Sequence, residues 1–209
     1  MCGRTWSGVA ASFLGMWVVM MAAMMIPSLV PMLCRYRLAI RRSGETRLGW
    51  LTVLAAAGYF LVWTALGVAV FPLGVALTAI EMQWAAFARL VPVMIGACVL
   101  FAGMLQFTAW KARHLACCRE MRLLDRASPV GVGSAWRVGL RLGLHCSYCC
   151  AGLTVCLLVV GLMDLRVMAV VMTAITIERL APSGIRAARA IGLLTGGAGL
   201  VLMALAVCG

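Results

Sequence analysis

The sequence predicts an all-α fold: a polytopic transmembrane helical bundle of about six spans, with both termini outside. Three observations predict it. The 209-residue chain is 65% hydrophobic and only 11% charged, whereas a soluble domain carries about a quarter charged residues. Residues 5–34, 48–80, 90–110, 142–163 and 190–209 contain no Asp, Glu, Lys or Arg. Each of those runs supplies the roughly 20 apolar residues that a helix needs to cross a bilayer core. The basic residues are also unevenly placed. Segments 35–47, 111–141 and 179–189 hold 15 of the 18 lysines and arginines, which is the positive-inside pattern. The alternate segments hold only Arg4, Arg89 and Arg166. The formal net charge of +12 therefore points to a lipid bilayer and not to nucleic acid.

The chain reads as one integral membrane domain over residues 1–209. Span 1 is expected at about 9–34. Its apolar run is about twice the 7–15 residues of a signal-peptide core, so it is read as a retained span. Pro27 and Pro31 each remove a helix hydrogen bond and should bend its inner half. Span 2 is expected at about 48–74 and span 3 at about 87–110. A basic inner loop over 111–141 follows, with a turn signal at 128–133, SPVGVG.

Span 4 is expected at about 142–162, and a short MDLR connection leads to span 5 at about 165–180. Asp164 suits the N-cap of that helix. Sixteen residues cover only about 24 Å, so a re-entrant hairpin of spans 4 and 5 is the alternative. Span 6 is expected at about 185–207. Its GLLTG (192–196), with Gly197 and Gly199, lets two helix backbones approach closely. Internal packing is the expected use.

Ten cysteines are present. Five of them fall into two groups with histidines. HLACC supplies His114, Cys117 and Cys118, and HCSYCC supplies His145, Cys146, Cys149 and Cys150. Within each group the i, i+3, i+4 spacing places the side chains on one helix face. One group follows span 3 and the other opens span 4, so both are expected at the inner membrane face. Structural disulfides are rare on a reducing side, and thiolate with imidazole selects soft metals. Copper(I) is the favoured metal and zinc the alternative. Interfacial thiols with no ligand are the plain alternative. The lone Cys98, Cys156 and Cys208 read as small packed hydrophobes.

Span 1 carries a methionine stripe. Met20, Met24 and Met25, ending at Cys34, form a weaker candidate soft site. Methionine also fills irregular cores, and spacing alone favours packing. Glu178 beside Arg179 reads either as a functional intramembrane carboxylate or as an interfacial ion pair. Gln106 is placed to face the same inner region.

These residues carry a family resemblance. Trp17, Met20, Ala23, Met24, Met25 and Pro27 fit W-x-x-M-x-x-A-M-M-x-P, and Cys146, Cys149 and Cys150 fit C-x-x-C-C. With Gln106, Lys111, Cys118, Arg119, Gly161, Met163, Met168 and Glu178, the chain resembles a bacterial family of predicted metal-binding integral membrane proteins, a domain of unknown function. The resemblance runs over nearly the whole chain. It implies metal binding and residence in the bacterial plasma (inner) membrane as a multi-pass protein. Three positions depart from the family pattern, which usually has cysteine at His114, glycine at Tyr148 and Glu-Lys at Glu178-Arg179.

The sequence reading is thus a soft-metal protein that moves copper(I) or exchanges it with a metalloprotein or metallochaperone. A structural zinc-clamped membrane scaffold is the second reading, and a membrane thiol-disulfide oxidoreductase is the third. Enzyme chemistry is the less favoured class. Six acidic residues leave little for hydrolytic acid–base work, and no phosphate-binding loop or Ser-His-Asp pattern is present.

Overall fold

A computed structural model describes residues 6–42, 44–120, 131–161 and 164–208, without the side chains of 85–88 and 117–120. Among the described residues the chain forms seven α-helices and no strand: α1 (Trp6–Arg42), α2 (Leu48–Gln83), α3 (Ala85–Leu105), α4 (Ala109–Glu120), α5 (Val132–Val160), α6 (Leu165–Leu180) and α7 (Gly184–Cys208). Four of them, α1, α2, α5 and α7, are long and apolar enough to cross a membrane. The bent pair α3–α4 passes the same test when it is taken as one span. The 16 residues of α6 remain short of a bilayer core, as their number requires.

The helices divide into two compact units. The first comprises residues 1–80 and 122–144, and the second 81–121 and 145–209. In the first unit α1 runs antiparallel to α2. Trp17 donates its indole N–H to the Trp63 carbonyl at 2.9 Å, while Trp6 and Phe13 meet Phe71 nearer the N-terminus of α1. Trp17 is thereby accounted for as an anchor between helices. The helix continues through Pro27 and Pro31, and the Ser28 hydroxyl donates to the Met25 carbonyl at 3.0 Å. The ends of α1 and α2 pass beyond the expected spans, because a helix need not stop where its apolar run does. Thirty-seven residues in α1 rise about 55 Å. On α5, Gly139 and Gly143 sit against Ala55 and Tyr59 of α2 so closely that a side chain would strike backbone.

In the second unit α3 packs on α7 through glycine. A Cβ added at Gly103 would lie 2.6 Å from the Gly196 amide nitrogen, and one at Gly192 would lie 2.8 Å from the Gln106 Cβ. The GLLTG stretch therefore serves internal packing. Cys156 is buried with Val99 and Ala102 and behaves as a packed hydrophobe.

Two helix ends position the site. Residues 106–108 close i→i−3 turns onto Gly103, Met104 and Leu105, and the chain bends by 63° into α4. The Thr108 hydroxyl then accepts the Lys111 amide at 3.3 Å, capping the first turn of α4. Lys111 is thus turned inward, contrary to its expected place in a solvated basic loop. Asp164 caps α6 as expected, accepting the Arg166 amide at 2.8 Å. Gly161, at φ +147°, ends α5 in a backbone region that favours glycine. The expected turn at 128–133 lies largely outside the described residues. Just after it, the Ser134 hydroxyl donates to the Gly131 carbonyl at the start of α5.

Candidate metal centre

Helix α5 presents Cys146, Cys149 and Cys150 on one face, as the i, i+3, i+4 spacing requires. Their exposures are 0%, 1% and 1%, so all three thiols are interior. Free thiols at this burial are ordinary as small hydrophobes. What sets this trio apart is the polar company around it.

Helix α6 supplies that company from its last turn. The Arg179 guanidinium Nη2 donates to Cys146 Sγ at 2.8 Å and to Cys150 Sγ at 3.3 Å. Its neighbour Glu178 turns instead to α3 and α4. One carboxylate oxygen accepts from Lys111 Nζ at 2.7 Å, and the other accepts from Gln106 Nε2 at 2.9 Å. Lys111 Nζ also donates to the Cys149 carbonyl at 2.6 Å. Lys111, Glu178, Arg179 and Gln106 are all buried. A charge removed from water is tolerated only when it is paired and hydrogen-bonded; Lys111 and Glu178 pair with each other, and Arg179 donates to two sulfurs. Of the two sequence readings of Glu178, the internal one applies: its salt bridge is to Lys111 and not at a solvated edge.

The two histidines meet beside the thiols. The rings of His114 and His145 have centroids 5.9 Å apart. His114 also lies 4.6 Å from the Trp110 ring and 5.5 Å from the Tyr148 ring. HLACC and HCSYCC thus approach each other, carried by α4 and α5. His114 stands past the 106–108 break, outside the apolar runs. An imidazole binds metal through its neutral form.

The side chains of Cys117 and Cys118 lie outside the described residues. Among the described residues no group of three or more His, Cys, Asp and Glu side chains is arranged to hold a metal ion. The remaining candidates are placed plainly. Met20, Met24 and Met25 are buried on α1 in the first unit, while Cys34 is exposed.

A family model described as PpoB2, copper chaperone, matches residues 14–202. The chain belongs to that family. The match takes in all or part of every helix described above and all the cysteine, histidine and methionine candidates. No curated protein and no solved structure matches. In this PpoB2-family chain the C-x-x-C-C thiols are backed by cations from two helices, α4 and α6. The sequence already singled out the thiols, the histidines, Glu178 and Gln106 as candidates. It missed the contact of Arg179 with sulfur and the burial of Lys111. The available signal was Thr108, a capping residue three before Lys111, which marks a new helix start at the end of an apolar run.

Proposed function

We propose that this protein is an integral membrane copper(I) chaperone that accepts the ion on a Cys/His cluster at the inner membrane face and delivers it to a copper protein. The observation that carries this reading is the buried trio Cys146, Cys149 and Cys150 beside the His114–His145 pair, in a chain of the copper chaperone family. Thiolate and imidazole are soft donors that suit copper(I). Cys117 and Cys118, carried on the same short helix as His114, complete the ligand set. Surplus thiols allow hand-off, since one ligand is released to the partner while another still holds the ion.

The rest of the reading is topological. The chain crosses the bacterial inner membrane about six times, with both termini outside and the thiols at the inner face. Long apolar helices support membrane residence, as does the outer surface of α7, where Leu193, Leu194, Leu205 and Val207 are each at least 66% exposed. Such a surface requires lipid or partner cover. Met20, Met24 and Met25, with Cys34, are the weaker second soft site.

The test is metal analysis of the purified protein, loaded anaerobically with copper(I), beside a Cys146→Ser, Cys149→Ser, Cys150→Ser variant. Stoichiometric copper(I) that the variant loses supports the reading. Tightly held zinc whose removal unfolds the protein would instead support a structural scaffold. A redox-titrating thiol pair without metal would support an oxidoreductase.

A further inference from the structure

Arg179 has no role in the reading above, yet it makes the most direct polar contact with the thiols. One guanidinium nitrogen spans Cys146 Sγ at 2.8 Å and Cys150 Sγ at 3.3 Å. Arginine has donors only and cannot shed its proton in a protein, so it brings a permanent positive charge to the two sulfurs. It is 7% exposed, so water screens it little. Lys111 adds a second buried cation, at the Cys149 carbonyl. Glu178 supplies one carboxylate against these two cations and is held by Lys111. Among the described residues the field at the thiols is therefore positive, from groups that cannot ligate a metal.

The geometry points to Arg179 as a charge-selectivity residue, one that makes the Cys146–Cys150 pair favour a monovalent soft cation over a divalent one. This rests on the copper(I) reading and deepens it. An ion held by both sulfurs sits about 5 Å from the guanidinium charge. At an effective dielectric of about 20, each extra unit of positive charge at that distance changes relative affinity by roughly a hundredfold. Copper(I) meets that repulsion once and zinc(II) meets it twice. Thiolate softness alone does not separate the two metals, whereas the fixed guanidinium does.

The experiment is anaerobic competition between copper(I) and zinc(II) on the full-length protein in detergent. Arg179→Met should move the preference towards zinc by roughly a hundredfold. Arg179→Lys, which keeps the charge, should hold the wild-type ratio. Glu178→Gln removes the compensating carboxylate and should move the ratio the other way, towards copper. A purely structural role would shift Arg179→Met and Glu178→Gln in the same direction, and that result overturns the inference. So does an unchanged ratio in Arg179→Met. If Arg179→Met does not fold, the sign of the Glu178→Gln shift decides alone. Cysteine-dependent copper binding with an unmoved ratio sinks the selectivity role but leaves the chaperone reading intact. Wild-type protein that binds no copper at the thiols overturns both.

Discussion

Replacing Lys111 by methionine removes the cation from a salt bridge with little access to water. Its side chain is 5% exposed, that of Glu178 is 1% exposed, and Nζ lies 2.7 Å from the carboxylate oxygen. At an effective dielectric of about 20, the attraction at that distance is about 6 kcal/mol. Burying each ion costs several kcal/mol in return, so the intact pair adds little net stability. Lys111→Met leaves the Glu178 charge without its salt-bridge partner, which costs about 3–5 kcal/mol. For a chain of this size that corresponds to a midpoint about 6–20 °C lower. The assay is thermal unfolding in detergent, followed by helicity and by loss of the monodisperse peak. The informative comparison is the double variant Lys111→Met, Glu178→Met. It deletes one more interaction, yet it should be more stable than Lys111→Met, because no uncompensated carboxylate remains. A double variant as unstable as the sum of the two singles would refute this account of the network.

Four further outcomes follow from the packing. Gly103→Val should destabilise by about 2–3 kcal/mol, because its Cβ would lie 2.6 Å from the Gly196 amide nitrogen. Gly197→Ala, with open space at its Cβ, should leave the melting midpoint unchanged or slightly raised. Thr108→Val removes the cap of α4 and should cost about 1 kcal/mol, read as increased amide exchange over residues 109–116. Trp17→Phe loses the hydrogen bond to the Trp63 carbonyl and should cost about 1–2 kcal/mol, measured in the same melts.

Much of this architecture was legible because apolar runs and charge gaps are long-range signals. The bounds of α6 and α7, the Asp164 cap and the internal use of the α7 glycines were all readable. The i, i+3, i+4 thiol face needed only helix periodicity. The early start of α5 at Val132 was not readable from apolarity, because Arg137 and Arg141 interrupt the run without interrupting the helix. The break at 106–108 was hidden for the opposite reason. Its residues are apolar enough to extend the span, and the i→i−3 turns that end α3 leave no glycine or proline mark. That break decides the site, since it converts Lys111 from a loop residue into the buried partner of Glu178. Adjacent residues on a helix point about 100° apart, so Glu178 and Arg179 serve different neighbours, and sequence alone did not divide them.

The central claim is that copper(I) is held by the α5 thiols. X-ray absorption at the copper edge, on anaerobically loaded wild-type protein and on the Cys146→Ser, Cys149→Ser, Cys150→Ser variant, tests it most directly. If the α5 thiols hold the ion, the wild type shows a copper(I) edge with a sulfur-dominated shell, and the variant loses that shell. A nitrogen and oxygen shell in the wild type, or a sulfur shell that survives the three substitutions, would contradict it.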